Sequence, residues 1–164
     1  MTSFHLAQLN IGRPRAPLSE PVMADFVAGL PRLNALADAA PGFVWRLRDE
    51  STDDATGLRP FGPDIMLNMS VWTSVEALRE YVYRTVHLEA LRRRAEWFHH
   101  DGFDHHLVLW WIPAGTLPTV DEAWARLERL DRDGPGPEAF TLRRPWPPPT
   151  PAFATIRRDV DPDD

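Results

Sequence analysis

Residues 64–72 (DIMLNMSVW) alternate without a break. Ile65, Leu67, Met69 and Val71 form an aliphatic face, while Met66, Asn68, Ser70 and Trp72 form a half-polar one. That is the two-residue period of a β-strand. An aliphatic face belongs under helices, whereas an amide, a hydroxyl and an indole suit the wall of a cavity. Thr73, with Glu76 three residues on, makes a capping box and predicts that a helix begins there and runs towards Phe98. Residues 4–11 (FHLAQLNI) set Phe4, Leu6, Gln8 and Asn10 against His5, Ala7, Leu9 and Ile11, a first strand. Residues 19–40 carry Met23, Phe26, Val27, Leu30, Leu33 and Leu36 near a 3.6-residue period, a helix that Gly29 and Pro31 are expected to kink.

Pro41-Gly42 closes that helix, and residues 43–48 (FVWRLR) read as a second strand. The polar stretch ESTDDATGLRPFGPD is too long for a hairpin and predicts a mobile surface loop or a lid. Residues 105–112 (HHLVLWWI) become apolar on both faces, the mark of a buried strand. Thr119 and Glu122 cap a further helix over 119–130, with Val120, Ala123, Trp124, Leu127 and Leu130 as its apolar stripe, and Gly134-Pro135-Gly136-Pro137 stops it. Residues 139–144 suggest a short edge strand, 145–151 (PWPPPTP) a polyproline arm, and 159–164 an acidic tail.

The order β-α-β-β-α-β is that of a ferredoxin-like α+β sandwich with both helices on one face of an antiparallel sheet. Such a sheet leaves its other face bare, and apolar groups there predict a homodimer in which two sheets close a barrel around a cavity. The expected organisation is a barrel domain over 1–144, including the C-terminal helix, and a Pro-rich, acidic tail over 145–164.

Composition removes several chemistries. The chain has no cysteine, and its 18 basic residues are all arginine. This excludes thiolate nucleophiles, disulfides, cysteine metal sites, Schiff-base catalysis and a P-loop lysine. A net charge of −6 argues against a nucleic-acid partner. No segment approaches the roughly 20 apolar residues of a membrane span and no secretory leader opens the chain, so no membrane partner and a cytoplasmic location are expected.

The segments HLAQLNI, PGFVWRLRDE, NMSVWTSVEAL to RRRAEWF, LVLWWIPAG and EAFTLRRPWP, taken together in this order, resemble an uncharacterised bacterial domain-of-unknown-function family of the dimeric α+β barrel superfamily. The resemblance spans about residues 4 to 150. The superfamily includes antibiotic-biosynthesis monooxygenases, haem-degrading monooxygenases, polyketide cyclases and muconolactone isomerases. The WTSVEAL run with a histidine further down the helix is similar to the monooxygenase branch, which implies an Asn, a Trp and a His near the cavity.

His87, Asn68, Trp72 and Tyr83 are therefore the expected catalytic group. Trp45, Trp97, Trp111, Gln8 and Asn10 are the expected substrate-binding group, with the tryptophans as an aromatic box for a planar ligand. His87 shares a helix face with Tyr83 and suits a general base, a donor to an enolate oxygen or an axial haem ligand; equally, it suits a partly buried histidine paired with Glu80, Tyr83 or a backbone carbonyl. Asn68 within a strand needs a hydrogen-bond partner. His99, His100, His105 and His106 with Asp101 and Asp104 have metal-ligand chemistry but poor convergence, since adjacent strand residues point apart; no metal is expected there. Arg92, Arg93 and Arg94 read as a solvated or acid-paired helix face. Three functions follow: monooxygenase-like chemistry on an aromatic or polyketide-like small molecule, haem binding through His87, or a non-catalytic ligand-binding dimer. The cofactor is correspondingly none or haem.

Overall fold

The computed structural model describes residues 3–84 and 87–150, His87 by its backbone alone. The acidic tail over 159–164 lies outside the described residues. Strands β1 (Phe4–Pro14), β2 (Phe43–Arg46), β3 (Met66–Trp72), β4 (Phe98–His99) and β5 (Leu107–Pro113) combine with helices α1 (Ala24–Asp38), α2 (Val75–Arg84), α3 (His87–Arg92), α4 (Arg94–Trp97) and α5 (Val120–Asp133). The chain is a mixed α+β fold on an antiparallel sheet. β1 is central, pairing with β3 on one side and β5 on the other, while β2 extends the sheet beyond β3 and β4 adds to the end of β1. The register sets Gln8 opposite Ser70 and Asn10 opposite Asn68, so the polar positions of two separate alternations fall on one face.

That face lies under α1 and α2, where Leu6, Trp72, Leu109 and Phe140 pack with Ala37, Val75, Leu78 and Tyr81. The aliphatic face, Ala7, Leu9, Ile11, Leu67, Met69, Val71, Val108 and Trp110, packs against Ala123, Leu127 and Leu130 of α5. Leu58 and Phe61 of the 47–65 segment complete this layer, with Phe61 4.6 Å from the Trp124 ring. The half-polar face, expected to be bare, is therefore covered within one chain by α1 and α2, while the aliphatic face lies under α5, whose apolar stripe had to be buried.

The 47–65 segment, expected to be a mobile loop or a lid, is tied to the body of the protein. Arg46, 3% exposed, holds it down. Its guanidinium donates to both Asp38 oxygens of α1 at 2.7 and 3.1 Å, to Asp53 Oδ2 at 2.9 Å and to the Asp53 carbonyl. The same contacts hold Asp38 below the usual carboxylate range and raise Arg46 above its ordinary value. Ala55 is buried behind this anchor.

Local signals shifted by small amounts. The cap of α2 is Ser74, whose Oγ accepts the Ala77 N–H at 3.1 Å, rather than Thr73. Thr119 caps α5 as its box predicts, accepting Glu122 N–H at 3.1 Å. The single helix expected after the cap is divided into α2, α3 and α4. Pro31 lies inside α1, which is assigned without interruption. Phe140 bridges to Leu109 as an isolated pair, in place of the edge strand expected over 139–144.

Candidate functional site

Between the half-polar sheet face and helices α1 to α4 lies a cavity of about 390 Å³, open to solvent. Its floor is polar: Gln8, Asn10, Asn68 and Ser70. Its walls are aromatic and aliphatic, with Phe26, Leu33, Trp72, Tyr81, Trp97 and Phe98 prominent. Gly12 matters to its shape, because a Cβ there would stand 2.7 Å from the Phe98 ring and 3.2 Å from an Arg94 nitrogen.

The floor is wired by hydrogen bonds. Gln8 Nε2 donates to Asn68 Oδ1 at 2.7 Å and to Ser70 Oγ at 2.8 Å. Trp72 Nε1 donates to the same hydroxyl at 2.8 Å. Gln8 and Ser70 are buried, whereas Asn68 is exposed through the mouth of the cavity, unlike the enclosed amide the strand pattern suggested. Trp72 is 1% exposed, stacked 5.2 Å from Tyr81 and met edge-on by Phe43 at 5.5 Å. Its indole is a wall, with its N–H already engaged.

Arg94, expected with Arg92 and Arg93 on a solvated or acid-paired helix face, is instead partly buried at the cavity without a carboxylate. It donates to Asn10 Oδ1 at 3.2 Å and to the Ile11 carbonyl at 2.8 Å, lies 3.5 Å from His106 Nδ1, and stacks 5.1 Å from the Phe98 ring. None of these partners is a carboxylate. Among the described residues it forms no ion pair, and burial alone pulls its pKa down, with no carboxylate opposing that. A partly desolvated guanidinium is ordinarily matched by an anion. Its neighbour Arg93 shows the contrast, paired with Asp25 and Glu96 at 2.8 Å each.

Of the other expected site residues, Asn10, Tyr83 and Trp97 line the cavity, Tyr83 at its exposed rim. Trp45 packs with the aliphatic cluster on the opposite face. Trp111 leans on Phe140 at 6.2 Å and donates to the Trp146 carbonyl, bordering a separate surface groove. The four-tryptophan box is thus reduced to Trp72 and Trp97. The His87 side chain lies outside the described residues. The histidine cluster disperses: His105 bonds Asp131 at 2.6 Å, and His106 turns towards Arg94 with its Nε2 3.3 Å from the His100 carbonyl. Among the described residues no three His, Asp or Glu side chains converge as metal ligands, and no helix is long and apolar enough to cross a membrane.

A model described as "Domain of unknown function (DUF3291)" matches residues 5–155. The chain belongs to the DUF3291 family. No curated protein matched. Among solved structures it is similar to SnoaB, a cofactor-independent oxygenase from Streptomyces nogalater, in a mutant form. The identity is 21%, over 70% of this chain and 98% of that one, at a TM-score of 0.41. It is also similar to a protein of unknown function from Nitrosomonas europaea, 18% identical over 73% of this chain and 97% of that one, at a TM-score of 0.38. At these scores the likeness carries no argument about activity.

Tyr81 offers a test of the cavity wall that needs no ligand. Burial pushes its phenol up from an ordinary value of 10.0 to about 12, while its hydroxyl donates to the Leu33 carbonyl at 3.0 Å. A raised folded pKa stabilises fully below the unfolded value and loses that contribution as pH rises from about 10 through about 12. The expected loss is about 2 to 3 kcal/mol across that window. The absence of lysine keeps the window clear of ammonium titration. Urea unfolding of the parent and of Tyr81→Phe at pH 9 and above is the check. The variant is expected to lose most of the slope, and an equal slope in both would show that Tyr81 is not its source.

Proposed function

We propose that this DUF3291 protein is a small-molecule enzyme acting in the cavity above its half-polar sheet face, with monooxygenase-like chemistry on an aromatic or polyketide-like substrate. The sheet order and the placement of α1 and α2 over one face support a ferredoxin-like reading of the fold. The observation that carries the function is Arg94: a guanidinium with no carboxylate partner among the described residues, set beside two amides in an aromatic cavity. Such a group stabilises an oxyanion that forms against it.

The substrate class follows from that chemistry. A fused aromatic ketone with an acidic ring methylene loses a proton to give an enolate, whose oxygen rests against Arg94 and the Asn10 amide. Dioxygen adds at the deprotonated carbon, the resulting peroxide takes up a proton, and loss of water leaves a new carbonyl. The electrons come from the substrate carbon: CH2 + O2 gives C=O + H2O. Trp72, Trp97 and Phe98 hold the ring plane, and Asn68 orients it.

Anthrone is the simplest probe with this chemistry. An oxygen electrode is expected to record one dioxygen consumed per anthrone at a rate proportional to protein, with anthraquinone as product. A rate no greater than the uncatalysed oxidation would defeat the reading.

A further inference from the structure

The polarity of the site is not intrinsic to its amides. An asparagine offers a carbonyl acceptor at one corner and a two-proton donor at the other, and its neighbours decide which corner faces a ligand. Asn10 is decided by Arg94, because a guanidinium has no acceptor and so takes the Asn10 carbonyl, at 3.2 Å. Asn68 has no such cation against it. Its Oδ1 is taken instead by Gln8 Nε2 at 2.7 Å.

Gln8 is itself constrained from the other side. The Ser70 hydroxyl has two lone pairs. Trp72 Nε1 fills one at 2.8 Å and Gln8 Nε2 the other at 2.8 Å. Both protons of the Gln8 amide nitrogen are therefore spent, one on Ser70 and one on Asn68. The chain of hydrogen bonds runs from a fully packed indole, through a buried hydroxyl and a buried amide, to the one exposed amide on the cavity floor. The strand register permits it: Gln8 stands opposite Ser70, and Asn68 is its diagonal neighbour two residues along β3.

We propose that Gln8 is a positioning residue that fixes the Asn68 side chain with its carbonyl turned away from the cavity and its amide nitrogen towards it, so that this point of the floor presents a donor and favours ligands that accept hydrogen bonds. This rests on the proposed function above, since it assumes that the cavity holds the ligand, and it extends that reading from Arg94 to a residue that touches no substrate. The Gln8 side chain, expected from the sequence to bind substrate, is 5% exposed and acts through Asn68. A donor at that point suits a ketone, enolate or carboxylate oxygen over a hydroxyl or amine that must donate.

The test uses two neutral probes, so that a charge placed at position 8 does not decide the result: 2-acetylnaphthalene, which only accepts, and 2-naphthalenemethanol, which also donates. Calorimetric affinities for both are compared in the parent, Gln8→Glu and Gln8→Met. Glutamate offers only acceptors to Asn68, which turns its nitrogen inward and its carbonyl to the cavity. The ratio of ketone to alcohol affinity is expected to fall about fivefold to tenfold. Methionine keeps the bulk and frees the Asn68 amide, so about a threefold fall is expected. In an Asn68→Ala background neither substitution at Gln8 is expected to change the ratio by more than about twofold, since the effect travels through Asn68.

A merely structural Gln8 would weaken both probes alike and leave the ratio where it was. An unchanged ratio in folded Gln8→Glu overturns the inference; if that variant does not fold, an unchanged ratio in Gln8→Met does so, and so does a shift that survives Asn68→Ala. A parent protein that binds neither probe overturns the cavity reading, and this inference with it.

Discussion

Replacing Arg94 by methionine is expected to weaken 2-naphthoate binding about 10- to 100-fold, while 2-naphthamide, the same ring system without the charge, changes by less than about threefold. A hydrogen bond to a charged group is worth about 1.5 to 3 kcal/mol, and that range sets the expected factor. Methionine preserves length and covers the Phe98 ring that the guanidinium now covers, 5.1 Å away. The folded protein should hold its stability, because the variant breaks no ion pair among the described residues and removes a charge that burial disfavours. Calorimetric titration with both ligands, alongside denaturant unfolding, separates the two effects. Equal losses for naphthoate and naphthamide would mean that Arg94 shapes the cavity instead of reading charge, and the oxyanion role would fall with it.

The same residue shows where the sequence stops being legible. Alternation placed Asn68, Ser70 and Trp72 on one face and Leu67, Met69 and Val71 on the other, and put Gln8 and Asn10 together on β1. The structure keeps both groupings and joins them through the β1–β3 register. Strand period is a local property, so it survives without knowledge of the fold. Arg94 has no such signature. Consecutive helical residues point about 100° apart, so three arginines in a row point three ways. Which of them enters a cavity depends on where the helix is divided. Here Arg93 stands between α3 and α4, and that division left no mark in the apolar pattern. The nearest clue was composition: a Trp-Phe pair beginning three residues on, and a glycine on the strand they approach.

The assignment of the sheet faces has a similar cause. An aliphatic face was expected under helices, and it does lie under one, α5; but the amide-bearing face also lies under helices, α1 and α2. Burial by the first two helices is incomplete because the floor beneath them is polar and the space between is the cavity. Which layer a helix joins is a long-range choice. The α5 stripe proclaimed that it would be buried without saying against what, and the tryptophans followed their strands: Trp72 to the cavity, Trp45 to the aliphatic layer.

If α5 is the second layer of the core, Leu127→Ala should cost about 2 to 5 kcal/mol of stability and leave the ligand cavity untouched. Leu127 is 3% exposed and packs among Ala7, Leu9, Val108 and Trp110, all of them fully buried. Truncation removes three carbons from a close-packed setting and leaves a void that the β1, β3 and β5 backbones, locked in their ladders, cannot close. For a domain of this size the midpoint temperature should fall by roughly 6 to 15 °C. Ligand affinity at a temperature where the variant is still folded should match the parent within about twofold, because the sheet separates the two layers and sites without shared partners behave additively. Calorimetric melting of parent and variant measures the first effect and 2-naphthoate titration the second. A melting point shifted by less than about 3 °C would mean that α5 is an appendage that leaves the aliphatic face to be covered by something else, and a second copy of the chain would then be the natural occupant.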